Sequence, residues 1–208
     1  MNFSLSNSDI KNALDVIASS DDDVAKAVEL VGYPTERINQ QGFNTVLRVI
    51  VGQQLSVKAA ASIWERVEKL GGENGGHKAY AGLSDETLRA AGLSRQKVNY
   101  VRSLCETSAN GVLDFETLPK LSDEEAIAAI TAVKGLGVWS AHIYLMFSLG
   151  RADIMPVGDL AVRVGIGRIV GLTERPTEKE CERIGERWKP YRSAMALLAW
   201  HYYSNAPF

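Results

Sequence analysis

The sequence predicts an all-α protein of about ten helices joined by short loops. Apolar residues recur with helical spacing along nearly the whole chain. No segment shows the sustained alternation with a period of two that is typical of strands, and the chain contains no internal repeat. We therefore expect helices packed on helices around a hydrophobic core.

Capping residues indicate where most of these helices begin. Ser, Thr and Asp accept hydrogen bonds from the amides of a first helical turn, so each is expected immediately before an apolar run. In chain order the expected caps are Ser8 or Asp9, Asp21, Ser56, Ser84, Ser94, Ser122 and Thr177. The apolar pattern alone predicts the remaining helices, at 43–51, 138–149, 158–170 and from Pro190 onward.

The composition is ordinary for a globular protein, with 46% hydrophobic and 23% charged residues, which argues against a disordered chain. No apolar run approaches the ~18 residues of a membrane helix, and Met1 to Asp9 lack the pattern of a signal peptide. Cys105 and Cys181 fit no metal-binding spacing. We therefore expect reduced thiols, no membrane partner, and a location in the cytoplasm of a bacterium or the nucleus of a eukaryote.

Net charge bears on nucleic-acid binding. The formal charge is -2 at pH 7, with a pI near 6.0, whereas non-specific nucleic-acid binders usually carry a basic excess. The charge argues mildly against such a binder. It does not exclude DNA, because backbone amides can hold phosphates without net charge.

A pair of glycines forms the most informative motif. It lies in segment 133–137, Val-Lys-Gly-Leu-Gly, between apolar helical segments at 126–133 and 138–149. Glycine permits tight turns and close backbone approach, and the first amides of the following helix favour an anion such as a phosphate. The motif therefore predicts a hairpin that holds a nucleic-acid backbone, with an ordinary corner between helices as the alternative.

Asp159 is the candidate catalytic acid. It follows segment 153–158, Asp-Ile-Met-Pro-Val-Gly, and precedes an apolar helix. A carboxylate placed beside a phosphate anchor can act on the sugar of an extruded nucleotide. The alternative is an N-cap for the helix that begins at Leu160, and the two roles are compatible.

Several ordered segments resemble the helix-hairpin-helix DNA glycosylase superfamily. Segment 138–143, Val-Trp-Ser-Ala-His-Ile, follows the glycines directly. The other similar segments are 52–60, 153–163, 186–193 and 196–200. Together they are similar to the 3-methyladenine DNA glycosylase II group, the alkylation-repair branch, over residues 43–200.

The resemblance implies a two-lobed helical helix-hairpin-helix glycosylase fold with the active-site cleft between the lobes. Residues 1–208 would form a single catalytic unit. The middle helical lobe, 38–149, would include the hairpin. The second lobe would combine 1–37 with 150–208.

The resemblance assigns Asp159 as the catalytic residue, which would stabilise positive charge on the sugar and orient or deprotonate the attacking water. Relatives that also cleave the DNA backbone carry a nucleophilic lysine shortly after the hairpin. That position is Trp139 in this chain, and the four-cysteine cluster of some relatives is missing. The implied enzyme is a monofunctional hydrolase that requires no cofactor and has no iron–sulfur cluster.

The base pocket implied by the resemblance consists of Trp139, Trp200, Ile143 and Gln53. A flipped base stacks on aromatic rings, and a cationic alkylated purine gains a cation–π attraction that a normal base lacks. Core packing is the alternative for both of these tryptophans. Trp64 and Trp188 are expected in the core, and Asp153 is expected to anchor its loop.

The DNA contacts implied by the resemblance are made by Gln54, Leu55, Lys134, Gly135, Leu136 and Gly137. Gln54 and Leu55, with Gln53, occupy the family's wedge position, which fills the gap left by a flipped nucleotide. An exposed helix end is the alternative explanation. Related hairpins also hold a monovalent cation, Na+ or K+, through backbone carbonyls, here those of Thr131, Val133 and Gly135.

The implied function is hydrolysis of the N-glycosidic bond of alkylated purines of the 3-methyladenine type, by base flipping, in base excision repair. The enzyme would act as a monomer on double-stranded DNA that contains a damaged base. One alternative is a deaminated-base or mismatch glycosylase, which would prefer hypoxanthine or uracil. The other is a non-catalytic helix-hairpin-helix DNA-damage-binding module, which would bind DNA in a salt-sensitive way without releasing a base.

Overall fold

The structure, a computed structural model, describes residues 3–72 and 75–207. Over these ranges it contains twelve α-helices, two 3-10 helices (Leu118–Lys120 and Glu186–Trp188) and no β-strand. The α-helices are α1 (Asn7–Ala18), α2 (Asp22–Val31), α3 (Phe43–Gly52), α4 (Val57–Gly71), α5 (His77–Ala81), α6 (Asp85–Ala90), α7 (Arg95–Ala109), α8 (Asp123–Thr131), α9 (Val138–Phe147), α10 (Leu160–Ile169), α11 (Glu178–Gly185) and α12 (Arg192–Asn205). The all-α prediction is confirmed. None of the helices within these ranges is both long and apolar enough to cross a membrane.

Side-chain caps begin most of the helices, as predicted. The caps that accept a hydrogen bond from a first-turn amide include Asp21, Ser56, Ser84, Ser94, Ser122 and Thr177. The first helix differs, because its cap is Ser6. The predicted cap, Ser8 or Asp9, is wrong because the Asp9 carboxylate forms the other half of a capping box, accepting the Ser6 amide at 3.4 Å.

Two further helix boundaries depend on packing that the sequence pattern does not show. Helix α5 follows glycines and has no side-chain cap, yet Tyr80 on it is fully buried and the helix packs against α7. Helix α12 begins at Arg192 rather than Pro190, because a 3-10 turn and the Tyr191 amide, which donates to the Trp188 carbonyl at 2.9 Å, come first.

The described chain divides into two compact units. Residues up to 39 and from 142 onward form one, and residues 40–141 form the other. The sequence predicts 1–37 with 150–208, and 38–149. The boundary at the end of the middle unit therefore lies between 141 and 142, within α9, and not between 149 and 150 as predicted. The first turn of α9 belongs with the hairpin that precedes it. The cleft expected between the lobes stays a prediction.

In the unit that contains both chain ends, α10 packs against α12. Gly165 permits a close crossing, because a Cβ at this position would overlap the Ala199 carbonyl. Residues 193–199 of α12 are all buried, and α1 and α2 also pack against this helix. The crossing fixes where the start of α10 lies relative to the next residue of α12, Trp200.

In the unit formed by 40–141, α3 packs against α4 and α7, and α7 also contacts α5 and α6. Trp64 is 8% exposed, and the buried Tyr80 hydroxyl donates to the Val67 carbonyl at 3.2 Å. Trp188, in the other unit, is 1% exposed. The prediction that Trp64 and Trp188 belong to the core is confirmed.

Both cysteines, Cys105 and Cys181, are buried free thiols. Burial raises the pKa of each thiol to about 11, because removal from water disfavours the thiolate. The thiolate is the reactive form of cysteine. Neither thiol is therefore activated as a nucleophile at neutral pH.

Candidate functional site

Asp159 is the N-cap of α10. Its Oδ1 atom accepts the Val162 amide at 3.0 Å, and its backbone is extended. Its own amide donates to the Pro156 carbonyl at 2.9 Å, which fixes the turn before the helix. The capping alternative is confirmed, and a capping role and a catalytic role of this carboxylate are compatible.

A second donor reaches the same oxygen from α12. The Trp200 indole Nε1 atom donates to Asp159 Oδ1 at 3.1 Å. Trp200 is neither fully buried nor exposed, so it is not the simple core residue that was the alternative to a pocket wall. This hydrogen bond orients the candidate catalytic carboxylate, a role for Trp200 that the sequence does not predict.

The Trp200 ring has two neighbours in the same unit. The Phe147 ring lies at 5.9 Å between centroids with an interplanar angle of 38°, and the Arg37 guanidinium lies 5.9 Å from the Trp200 centroid. The Asn39 amide donates to the Phe147 carbonyl at 2.8 Å, which ties the segment carrying Arg37 to the end of α9. Sequence reasoning missed Arg37, because its segment has no periodic pattern or motif.

Asp153 anchors the loop that leads to Asp159. Its carboxylate accepts Arg192 Nε at 2.8 Å and Arg192 Nη2 at 2.9 Å, the paired geometry that gives arginine–carboxylate contacts their specificity. The buried Ser193 hydroxyl donates to the Arg151 carbonyl at 2.6 Å and accepts the Ile154 amide at 3.0 Å. The expected structural role of Asp153 is confirmed.

The predicted glycine hairpin joins α8 to α9 in the unit 40–141. Gly135 has φ +85°, a left-handed conformation that favours glycine, and a Cβ there would overlap the Tyr100 ring. The close backbone approach expected at Gly135 is therefore to a side chain of α7. The Gly137 carbonyl accepts the Ala141 amide at 3.1 Å as α9 begins.

Two hairpin residues predicted to contact DNA, Leu136 and Lys134, also form contacts within the protein. Leu136 is 6% exposed and its amide donates to the Val133 carbonyl at 3.1 Å, so it anchors the turn. The Lys134 amide donates to Ser103 Oγ at 3.0 Å, although its side chain is exposed. By helix geometry the amides of the first turn of α9, which begins at Val138, point out of the end of the helix. These amides and the Lys134 ammonium are the groups suited to a phosphate.

The predicted wedge residues follow α3 directly. Gln53 Nε2 donates to the Gly135 carbonyl at 2.8 Å, so the amide joins the end of α3 to the hairpin, and its assignment to the base pocket stays a prediction. Gln54 has φ +56°, which is uncommon for a residue with a side chain. Gln54 is exposed and Leu55 is 39% exposed.

The cation expected at the hairpin was assigned to three backbone carbonyls. The Gly135 carbonyl accepts the Gln53 amide and the Val133 carbonyl accepts the Leu136 amide. Each of these oxygens has a second lone pair, so the assignment of a cation to Thr131, Val133 and Gly135 stays a prediction, and no step of the reaction is assigned to such an ion. Over 3–72 and 75–207, no cluster of three or more His, Cys, Asp or Glu residues could hold a metal.

Trp139 is the second residue of α9 and is 45% exposed. Core packing, the alternative for this residue, is therefore wrong. Ile143 is half-buried on the same helix. Their assignment to the base pocket stays a prediction.

The family is defined by a match over most of the chain. Residues 47–190 match the HhH-GPD superfamily of base excision DNA repair proteins. The match contains the hairpin, Gln53 and Asp159. The chain belongs to this superfamily.

Individual relatives agree with this assignment. DNA-3-methyladenine glycosylase 1 of Schizosaccharomyces pombe is 31% identical over 191 residues, covering 88% of this chain and 83% of that protein. The crystal structure of a DNA-3-methyladenine glycosidase from Bacillus halodurans has a TM-score of 0.81 at 35% identity, covering 90% of this chain and 87% of that one. The S. pombe 3-methyladenine DNA glycosylase in complex with abasic DNA has a TM-score of 0.77 at 31% identity, covering 91% and 95% respectively. The fold is that of a helix-hairpin-helix glycosylase.

Proposed function

We propose that this protein is a monofunctional DNA glycosylase that removes alkylated purines of the 3-methyladenine type in base excision repair. The observation that carries the proposal is the Asp159 carboxylate, held at the start of α10 by the Val162 amide and by the Trp200 indole. The names of the relatives support the substrate class. Its partner is double-stranded DNA, on which it acts as a monomer.

In the proposed reaction the bond between C1′ of the deoxyribose and the purine nitrogen breaks. Its electron pair leaves with the base, so a cationic alkylated purine departs as a neutral molecule and needs no strong general acid. Positive charge develops on the sugar, and the fixed Asp159 carboxylate stabilises it electrostatically. A water oxygen then bonds to C1′ and loses a proton, for which Asp159 is the acceptor. The products are the free base and an abasic site.

Trp139, in the first turn of α9, favours hydrolysis over cleavage of the DNA backbone. A lyase needs a primary amine to form a Schiff base with the sugar. Trp139 occupies the position at which lyase relatives carry lysine, and an indole cannot form that adduct. The abasic site is therefore the end product.

The decisive experiment measures base release from duplexes that each contain one lesion: 3-methyladenine, 7-methylguanine, ethenoadenine, hypoxanthine or uracil. We expect wild-type protein to release alkylated purines, and Asp159→Asn to lose on the order of 100-fold or more in rate. Asparagine caps helices about as well as aspartate, so this variant keeps the cap while removing the charge.

Three outcomes contradict parts of the proposal. Equal rates for Asp159→Asn and wild type would remove Asp159 from the mechanism. Preferential release of hypoxanthine or uracil would indicate a deaminated-base or mismatch glycosylase. Salt-sensitive DNA binding without release of any base would indicate a damage-binding module.

A further inference from the structure

One helix supports both the glycine hairpin and the end of α3. The Tyr100 ring packs against the Gly135 backbone, and Ser103 Oγ accepts the Lys134 amide at 3.0 Å. The Lys97 ammonium donates to the Val51 carbonyl, in the last turn of α3, at 2.7 Å. These three α7 residues are spaced three apart, so they lie along one side of the helix.

Gln53 joins the two supported elements directly. Its Nε2 atom donates to the Gly135 carbonyl at 2.8 Å, across 82 residues of sequence. The amide therefore fixes the distance between the last turn of α3 and the hairpin. Together with Lys97 and Tyr100 it closes a ring of contacts: α3 to α7, α7 to the hairpin, and the hairpin back to α3.

The residues immediately after Gln53 are exposed, and Gln54 also has a strained backbone. Gln54 has φ +56°, and such a conformation in a residue other than glycine persists only where its surroundings over-determine it. Gln54 and Leu55 are called the exposed pair below, and Val57, two residues after Leu55, is 89% exposed. Leu55 is the apolar member of this pair, and an exposed apolar side chain is suited to separating stacked bases.

We propose that Gln53 is a positioning residue that couples the hairpin's grip on a phosphate to the depth at which the exposed pair enters the duplex. The proposal rests on the function proposed above. In this role Gln53 acts on extrusion of the nucleotide and does not contact the base or the sugar.

The chemistry of the side chain defines the test variants. Methionine matches the length of glutamine but has no donor for the Gly135 carbonyl, and glutamate presents an acceptor oxygen to the same carbonyl. Both variants break the link without shortening the side chain. Gln41→Met is the matched control, because Gln41 is an exposed glutamine in the same unit.

Two readouts separate extrusion from bond cleavage. Stopped-flow fluorescence of a 2-aminopurine next to the lesion reports unstacking, and single-turnover base release is measured on a paired lesion and on the same lesion in a one-nucleotide bulge. For Gln53→Met and Gln53→Glu we expect unstacking and release from the paired lesion to slow roughly 3- to 10-fold, the range set by loss of one hydrogen bond. Release from the bulged lesion, which is already unstacked, should stay within about twofold, and Gln41→Met should match wild type on both DNAs.

Several results would overturn the proposal. Equal loss on paired and bulged DNA would place Gln53 in bond cleavage or base binding, and no loss on either would remove it from the mechanism. If one variant fails to fold, the other and Lys97→Met, which breaks the contact between α7 and α3, carry the same expectation. If wild-type protein releases no base, the proposed function fails, and the fluorescence comparison alone tests the role of Gln53. That role is rejected if wild-type protein gives no unstacking signal, or if the Gln53 variants give the same signal as wild type.

Discussion

Trp200 donates its indole N–H to Asp159 Oδ1 at 3.1 Å, so the side chain predicted to stack on a base also orients the carboxylate predicted to act on the sugar. The contact lies within one compact unit, where α12 crosses α10. Because the Val162 amide binds the same oxygen, two donors from two helices fix the orientation of the carboxylate. Preorganised groups of this kind lower a barrier because they need no rearrangement during the reaction.

Trp200→Phe removes the hydrogen bond and keeps an aromatic face. A hydrogen bond to a charged group contributes about 1.5–3 kcal/mol, so we expect the single-turnover rate of base release to fall about tenfold or more while the affinity for lesion DNA changes little. Trp200→Ala also removes the ring and should lower both. A phenylalanine variant with wild-type rate would show that the indole N–H has no part in catalysis.

Arg37 places a positive charge near the Trp200 ring. A cationic base that stacks there is repelled by this charge, and a neutral base is not. Arg37→Gln should therefore raise the ratio of 7-methylguanine to hypoxanthine release about two- to fivefold, the size of the repulsion between two unit charges several ångströms apart in water. Arg37→Lys keeps the charge and should keep the ratio, which is measured in single-turnover assays of both lesions. A lower ratio in the glutamine variant would mean that the charge favours cationic bases.

The crossing of α10 and α12 depends on Gly165. Gly165→Ala adds a methyl group that would overlap the Ala199 carbonyl, and overpacking of this kind costs about 1–3 kcal/mol of stability. We expect the free energy of unfolding, measured by urea denaturation, to fall by that amount. The rate of base release should also fall, because Asp159 and Trp200 move apart. Gly158→Ala meets no atom within 4 Å of the added Cβ and serves as the stability control.

The buried thiols make stability depend on pH in the alkaline range. Burial raises the pKa of Cys105 and of Cys181 from 9.0 to about 11. Above pH 9 the unfolded chain loses these protons first, so their contribution is fully present below about 9 and is lost as pH rises toward about 11. We expect the free energy of unfolding to decline over this window, and the Cys105→Ala, Cys181→Ala double variant to decline less steeply. Parallel curves for the two proteins would contradict this account.

Much of the fold could be predicted because the residues that specify a helix lie close together in the sequence. Apolar spacing and capping residues predict most of the helices, the hairpin between α8 and α9, and the cap at Asp159, since each depends on residues within a few positions of one another. Burial of Trp64 and Trp188 was also predicted correctly. Helix α5 was missed because only its packing against α7 identifies it.

The contacts that define the candidate site join residues far apart in sequence. Gln53 meets Gly135 across 82 positions and Trp200 meets Asp159 across 41. No periodicity or motif predicts such pairs, because neither partner carries a local signal that names the other.

The helical class, the family resemblance, the hairpin and the candidate acid can be predicted from the amino-acid sequence, because local spacing and the order of motifs encode them. The folded protein is needed to show that Trp200 orients Asp159, that Arg37 lies near the same ring, and that Gln53 holds the hairpin to the end of α3. A hydrogen bond or ring contact requires atoms within a few ångströms, and only the packing of the helices brings these residues that close.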